Sequence, residues 1–386
     1  MVDMVTCTGV RRGGLRLRLP VPGGEYPVGA ASLYLVDGAR RDPWAPAIAV
    51  REVMVTVFYP ARTVQGAAET RHMTPDVADV FSVVAPQVHP ELPSTGVDWA
   101  ATTTGAYVDA PAQCERRWPV LLYSPGGGDP RALGASVAVD LASHGSVVVT
   151  VDHPGDALAV EFPVAREGRG RVRTTVFRGD PRADAEQFRT MITARVADLR
   201  SVLCRLTELV AGRDADAAGR PVPEGLGRAL DLRRVGVYGH SAGGTAAAQA
   251  LYEDFRIGAA VGWEGFLDQA PDASGRPGEL LPVARDGVDR PLLLVGTDGF
   301  AGRAEMERSW KAALSHPGGH TRRDRLDGTS HWVFTDYAAV APQLQAAGLM
   351  TAEGRARLVG AADPAWSVPA VRRQVRSFFA RDLPKC

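Results

Sequence analysis

Ser241 lies in the run Val237-Tyr238-Gly239-His240-Ser241-Ala242-Gly243-Gly244, with a glycine two residues away on either side. A serine hydroxyl becomes a nucleophile when a base takes its proton and N–H groups receive the charge formed on the attacked carbonyl. Gly-x-Ser-x-Gly suits that chemistry on a sharp strand-to-helix turn, where larger neighbours would collide with adjacent backbone. Residues 235–238 read as a buried strand and 245–252 as an alanine-rich helix, which supplies this setting.

Eight histidines compete for the role of base. His240 precedes the serine on the turn and points away from it. His144 ends a helix, His72 and His89 lie in an irregular early segment, and His316 and His320 flank a Pro-Gly-Gly turn. His153 follows a strand and is placed to line a pocket. His331 follows the strand-like 321–326 and the turn Asp327-Gly328-Thr329-Ser330, downstream of every candidate acid. Its place matches the chain order serine, acid, histidine. The acid has two contenders: Glu264, after the strand that follows the serine's helix, and Asp298, one strand later. Either carboxylate can accept the imidazole N–H, and position alone leaves both open. Tyr123-Ser124-Pro125-Gly126-Gly127-Gly128 follows another strand and offers small residues whose amides can approach an oxyanion. The N–H of Ala242, next to the serine, is the second donor. A phosphate-binding reading of the glycines fails because no Gly-Lys-Ser/Thr follows. Tyr123, Gly126, Trp263, Phe266, Trp332 and His153 are the expected substrate-contacting residues; packing in the core is the competing role of the aromatics.

These residues need a scaffold. Strand-like runs recur at 31–36, 53–59, 119–123, 147–151, 235–238, 259–263 and 292–295, several of them unbroken Val/Leu/Ile without alternation. Such runs suit parallel strands covered on both faces. Helical patterns at 132–143, 184–210, 242–252 and 304–314 alternate with them, and 367–381 reads as a closing helix. The fold class is therefore α/β: an α/β-hydrolase fold with a mainly parallel central sheet, helices on both faces and an antiparallel edge from the early strands. Residues 1–386 read as a single domain, in which 65–113, 157–181 and 269–290 fit no regular element and are expected to be lid or substrate-binding insertions. The arginines of 157–181 read as a solvated loop face.

Lysine plus arginine balance aspartate plus glutamate at 44 each, so no global field draws nucleic acid or an anionic membrane. No apolar stretch reaches the ~20 residues of a membrane span. Residues 1–18 lack the apolar core of a secretion signal, and a cytoplasmic location is expected. Cys7, Cys114, Cys204 and Cys386 are scattered, which argues against a zinc site or a disulfide framework. Cys204 falls on an apolar helix stripe and is expected in the core; the terminal Cys386 is expected in solvent.

Longer strings are similar to a known family. Trp118-Pro-Val-Leu-Leu-Tyr-Ser-Pro-Gly-Gly-Gly, Leu141-Ala-Ser-His-Gly-Ser-Val-Val-Val-Thr-Val-Asp-His, Gly239-His-Ser-Ala-Gly-Gly, Asp254-Phe-Arg256 and Gly328-Thr-Ser-His331-Trp-Val-Phe-Thr-Asp336 resemble the platelet-activating factor acetylhydrolase family of lipase-like α/β-hydrolases. Tyr26-Pro-Val-Gly and Arg51-Glu-Val-Met-Val-Thr-Val-Phe-Tyr-Pro-Ala resemble its bacterial members. The resemblance implies a triad with nucleophile Ser241, base His331 and an acid at Glu264, where relatives usually carry aspartate. It also implies Gly127 as an oxyanion donor, in a loop that has Pro125-Gly126-Gly127 where relatives have His-Gly-x.

The expected activity is serine hydrolysis of a small-molecule carboxylic ester through an acyl-enzyme, with no cofactor or metal. The alternatives are a tailoring deacylase, amidase or cyclase for a bulky metabolite, and a hydrolase-fold protein that binds ligand without cleaving it. Oligomeric state is left open.

Overall fold

A computed structural model describes residues 14–384, so Cys7, Cys386 and most of the amino-terminal reading lie outside the described residues. The strands are β1 (Val28–Asp37), β2 (Arg51–Pro60), β3 (Glu69–Arg71), β4 (Thr103–Val108), β5 (Trp118–Ser124), β6 (Val147–Val151), β7 (Ala159–Glu161), β8 (Val172–Thr174), β9 (Leu230–His240), β10 (Ile257–Trp263), β11 (Leu292–Thr297) and β12 (Thr321–Leu326). The helices are α1 (Pro75–Val88), α2 (Ala135–Ser143), α3 (Ala185–Val210), α4 (Leu226–Ala229), α5 (Ala242–Glu253), α6 (Pro282–Arg285), α7 (Arg303–Leu314), α8 (Tyr337–Ala346), α9 (Ala352–Val359) and α10 (Pro364–Asp382).

Ten strands form one sheet in the order β12-β11-β10-β9-β5-β6-β2-β1-β4-β3, and β7 pairs with β8 as a separate hairpin. From β12 to β6 every neighbouring pair is parallel. β2 runs antiparallel to both β6 and β1, which makes the early strands the antiparallel edge expected of them. The unbroken apolar runs are explained by burial on both sides. On β5, Val120 and Leu122 join one apolar cluster with α3 and α5, while Leu121 and Tyr123 join another with α2 and α10. The outermost parallel strand, β12, reads Thr-Arg-Arg-Asp-Arg-Leu, and its charges discourage pairing with another chain.

Two irregular segments hold more order than their composition suggests. Residues 65–113 contain β3, β4 and the 14-residue helix α1. Thr74 caps that helix by accepting from Val77 N, and Pro75 begins it, but Pro86 and the valines blur its pattern. Buried Phe81 and Ala85 of α1 pack with Tyr337, Ala341 and Leu358 beside the His331 segment. Within 157–181 the solvated-face reading fails for two arginines. Arg169 is buried and ion-paired to Glu52 at 2.7 Å, and Arg173 pairs with Asp42 at 2.7 Å. Loop arginines are buried here because carboxylates far away in sequence neutralise them. Cys204 is exposed, at the margin of the α3 stripe rather than in the core.

Candidate active site

β9 delivers Ser241 to the carboxyl edge of the sheet, and the chain turns at once into α5. The turn is tight enough to force Ser241 to φ 53° and ψ −120°, a backbone region that L-residues avoid. Its glycines are sterically required. A Cβ on Gly243 would overlap the carbonyl oxygens of Ser124 and Pro125, and one on Gly239 would overlap that of Gly243. Ser241 N–H donates to Trp263 O at 2.7 Å, which ties the turn to the end of β10.

Glu264 begins at that end and is likewise strained, with φ 49°. Its carboxylate is fully buried and its oxygens divide their work. Oε1 accepts from Thr297 N at 2.6 Å and Thr297 Oγ1 at 2.7 Å, while Oε2 meets His331 Nδ1 at 2.7 Å. Among the described residues the imidazole's other nitrogen, Nε2, has no partner, so it is free to take a proton. Asp298 takes a different place. It is exposed, and its oxygens accept the backbone N–H groups of Gly328 (3.0 Å) and Thr329 (3.2 Å), fixing the turn that presents His331. Those amides lower its pKa.

His331 is buried, and burial pushes its pKa down to about 4; the neighbouring His240 ring adds to this and Glu264 opposes it. The ring is thus neutral near pH 7, the form in which Nε2 can accept a proton. Phe300 stacks on it at 4.1 Å between centroids, and Trp332 meets it edge-on at 4.7 Å. Phe300 continues to Phe266 at 6.1 Å, whose ring lies under the Arg182 guanidinium at 3.8 Å.

The glycine loop after β5 is held from below by Arg195 of α3, which has no exposed surface. Its guanidinium donates to Pro125 O at 2.5 Å and Gly126 O at 2.8 Å, and pairs with Asp156 at 2.5 Å. Asp156 in turn accepts Gly128 N–H at 2.9 Å. Gly127 is the exposed residue of this loop, and among the described residues its N–H has no partner. A Cβ on Gly127 would lie 3.7 Å from Ala242 Cβ, so the loop overhangs the start of α5. The Ala242 N–H, in the first turn of that helix, has no intrahelical acceptor, and the helix dipole favours negative charge there. Gly127 and Ala242, the residue after Ser241, thus lie side by side at the start of α5.

The remaining expected contacts divide. Phe266 and Trp332 are partly exposed near His331, whereas Tyr123 and Trp263 are fully buried and pack with Tyr238 in the core. Gly126 is buried against Asp129 and His240. His153 does not line a pocket: it is buried, with Nε2 at 2.9 Å from Ser124 Oγ and Nδ1 at 3.0 Å from Asp198. Asp198 also receives Arg51 at 2.7 Å, so this array supports the strand end from which the glycine loop departs. Sequence reasoning missed Arg195, Asp156, Thr297 and Phe300. Phe300 carried a faint signal as an aromatic just after an Asp-Gly at a strand end. Arg195, on a mixed polar and apolar helix, carried none.

A mainly parallel sheet covered on both faces, with a strained serine where a strand becomes a helix, defines the α/β-hydrolase class. Within it, the chain belongs to the platelet-activating factor acetylhydrolase, isoform II, family, which matches residues 17–363. It is 27% identical over 271 residues to a protein of Arthroderma benhamiae named a probable 1-alkyl-2-acetylglycerophosphocholine esterase, covering 69% of this chain and 60% of that one. It is 22% identical over 249 residues to the platelet-activating factor acetylhydrolase of Cavia porcellus, covering 59% and 51%. The chain thus spans between half and three fifths of the length of these relatives. Among solved structures, a ferulic acid esterase from Streptomyces cinnamoneus superposes with a TM-score of 0.70 at 28% identity, covering 95% of this chain and 93% of that one. Among the described residues no helix is long and apolar enough to cross a membrane, and no group of three or more His, Cys, Asp or Glu could hold a metal ion.

Proposed function

We propose that this chain is a serine carboxylic-ester hydrolase acting on a small-molecule ester. Ser241 Oγ attacks the ester carbonyl while His331 Nε2 takes its proton, and the C–O bond to the alcohol breaks as His331 returns that proton to the leaving oxygen. Water, deprotonated by the same nitrogen, then attacks the acyl-serine and releases the acid. Glu264 holds the imidazole in the tautomer with Nδ1–H and stabilises its protonated form. The N–H groups of Gly127 and Ala242 receive the oxyanion. The observation that carries this reading is the 2.7 Å contact between Glu264 Oε2 and His331 Nδ1, made from a carboxylate that Thr297 already fixes.

The family supports ester chemistry, and the ferulic acid esterase neighbour favours an acyl group with a flat, apolar part. Phe300 and Phe266 offer such a group rings to pack against. Turnover of short-chain aryl esters by a Ser241→Ala variant tests the reading. Loss of activity by a factor of about 10⁴ or more is expected, and hydrolysis at the parent rate would overturn it.

A further inference from the structure

Glu264 and His331 follow strands that are not neighbours. Glu264 comes after β10 and His331 after β12, and β11 runs between these two in the sheet. Adjacent strands lie about 4.8 Å apart, so the acid has to reach across one strand end to meet its histidine. The residue that closes β11 is Thr297, and the carboxylate rests on it. Oε1 accepts both the Thr297 N–H at 2.6 Å and the Thr297 hydroxyl at 2.7 Å. Two donors on one oxygen fix the plane of the carboxylate, and Oε2 then faces His331 Nδ1 at 2.7 Å.

The backbone shows that reach matters at this position. Glu264 has φ 49°, in the left-handed region that aspartate and asparagine enter more readily than other L-residues. Local conformation thus favours the shorter acid, and the chain carries the longer one. The main chain has no slack to offset a shorter side chain, because Glu264 N–H donates to Val295 O at 3.0 Å. Both side chains are buried, Glu264 at 0% and Thr297 at 1% exposure. A donor removed there leaves the carboxylate under-satisfied, since bulk water does not reach it.

We propose that Thr297 is a positioning residue of the reaction, matched to the length of Glu264. The threonine holds the carboxylate over the end of β11, which aims Oε2 at His331. The proposal rests on the serine-hydrolase reading and names what sets the orientation of its acid. An aspartate at 264 draws the carboxylate back by one C–C bond, about 1.5 Å, and keeps Thr297 or His331 but not both. Glu264→Asp, which preserves the charge, therefore disables the site, and Thr297→Val, which preserves the shape, weakens it.

A double-mutant cycle on aryl ester hydrolysis tests this. Thr297→Val should lower kcat about 10-fold with KM within about twofold, while Thr297→Ser, which keeps the hydroxyl, stays within about threefold of the parent. Glu264→Asp should lower kcat about 10²-fold. Adding Thr297→Val to Glu264→Asp should cost no more than about twofold further, because the two residues act through one contact. Proton NMR gives a readout independent of turnover. The His331 Nδ1 proton, assigned by its absence in His331→Gln, should resonate far downfield in the parent and Thr297→Ser, and shift upfield in Thr297→Val and Glu264→Asp. Failure of the parent to hydrolyse esters would count against the hydrolase reading, while the same pattern of shifts would still support the matched pair. Parent-like kcat in Glu264→Asp, equal losses in Thr297→Val and Thr297→Ser, losses that multiply in the double variant, or an unmoved Nδ1 proton would each overturn the proposal.

Discussion

Phe300 lies flat against the imidazole of His331, with 4.1 Å between centroids and 13° between planes. The ring shields the histidine from water, and burial is the main reason its pKa falls to about 4. Since Nε2 must be unprotonated to act as a base, activity is held as pH drops below the ordinary histidine value of 6.5 and is lost only as it passes through about 4. Phe300→Ala should admit water and move the acid limb of kcat/KM upward toward 6.5. A pH–rate profile of both proteins checks this, and an acid limb at the same pH in both would contradict it.

The same burial links pH to stability. His331, His89 and His153 all have lowered pKa values, with burial as the leading cause. Between the lowered and ordinary values the unfolded chain binds more protons than the folded one, so stability falls as pH falls below 6.5. Denaturant midpoints at pH 7.5 and pH 5 should differ in that direction. The difference should shrink in His331→Gln.

Glu264 and Asp298 are both acids at strand ends, yet they do unlike things. Glu264→Gln should lower kcat by about 10³- to 10⁴-fold, as expected when the partner of a triad histidine is neutralised. Asp298→Asn should cost about tenfold or less, with a stability loss of about 1 kcal/mol for a weakened acceptor of two amides. Steady-state kinetics of the pair decides between them, and a severe loss confined to Asp298→Asn would reverse the assignment.

How much of this the chain announced depends on the kind of signal. The turn around Ser241 was legible because glycines are forced there by close backbone approach, and because 235–238 is apolar on both faces. The chain order of Ser241, Glu264 and His331 could be read as well; spacing left Glu264 and Asp298 open, the family resemblance pointed to Glu264, and the 2.7 Å contact of Glu264 Oε2 with His331 Nδ1 supports that reading. Arg195 was not legible at all. A buried arginine on a helix looks like any solvated one until the carbonyls and the carboxylate that neutralise it are brought from 125–156. α1 was hidden for a local reason: Pro86 and its valines speak against a helix, and packing against Tyr337 and Leu358 overrides them.

Arg195 should behave as a positioning residue for the oxyanion loop. Arg195→Met leaves Asp156 buried without its partner and should destabilise the fold by about 3–5 kcal/mol. Pairing it with Asp156→Leu removes the stranded charge and should restore much of that stability. The rate should not recover with it, since the Pro125 and Gly126 carbonyls stay unpinned; a kcat deficit of about 10²-fold is expected from a displaced oxyanion donor. Thermal melting beside kcat separates the two effects.

Glycine substitutions should map the same loop sterically. Gly127→Ala meets only ordinary contacts at 3.6–3.8 Å and should fold normally. Gly243→Ala places a methyl group inside the Ser124 carbonyl and should fail to give stable protein. Expression and circular dichroism of the two variants check the contrast.

The central claim is that Ser241 is a nucleophile activated by His331. A fluorophosphonate probe with peptide mapping by mass spectrometry tests it most directly. A single covalent adduct on Ser241, formed at least about 10²-fold more slowly in His331→Ala, is the predicted result. An unlabelled Ser241 in protein that still hydrolyses esters, or an adduct on another residue, would contradict it.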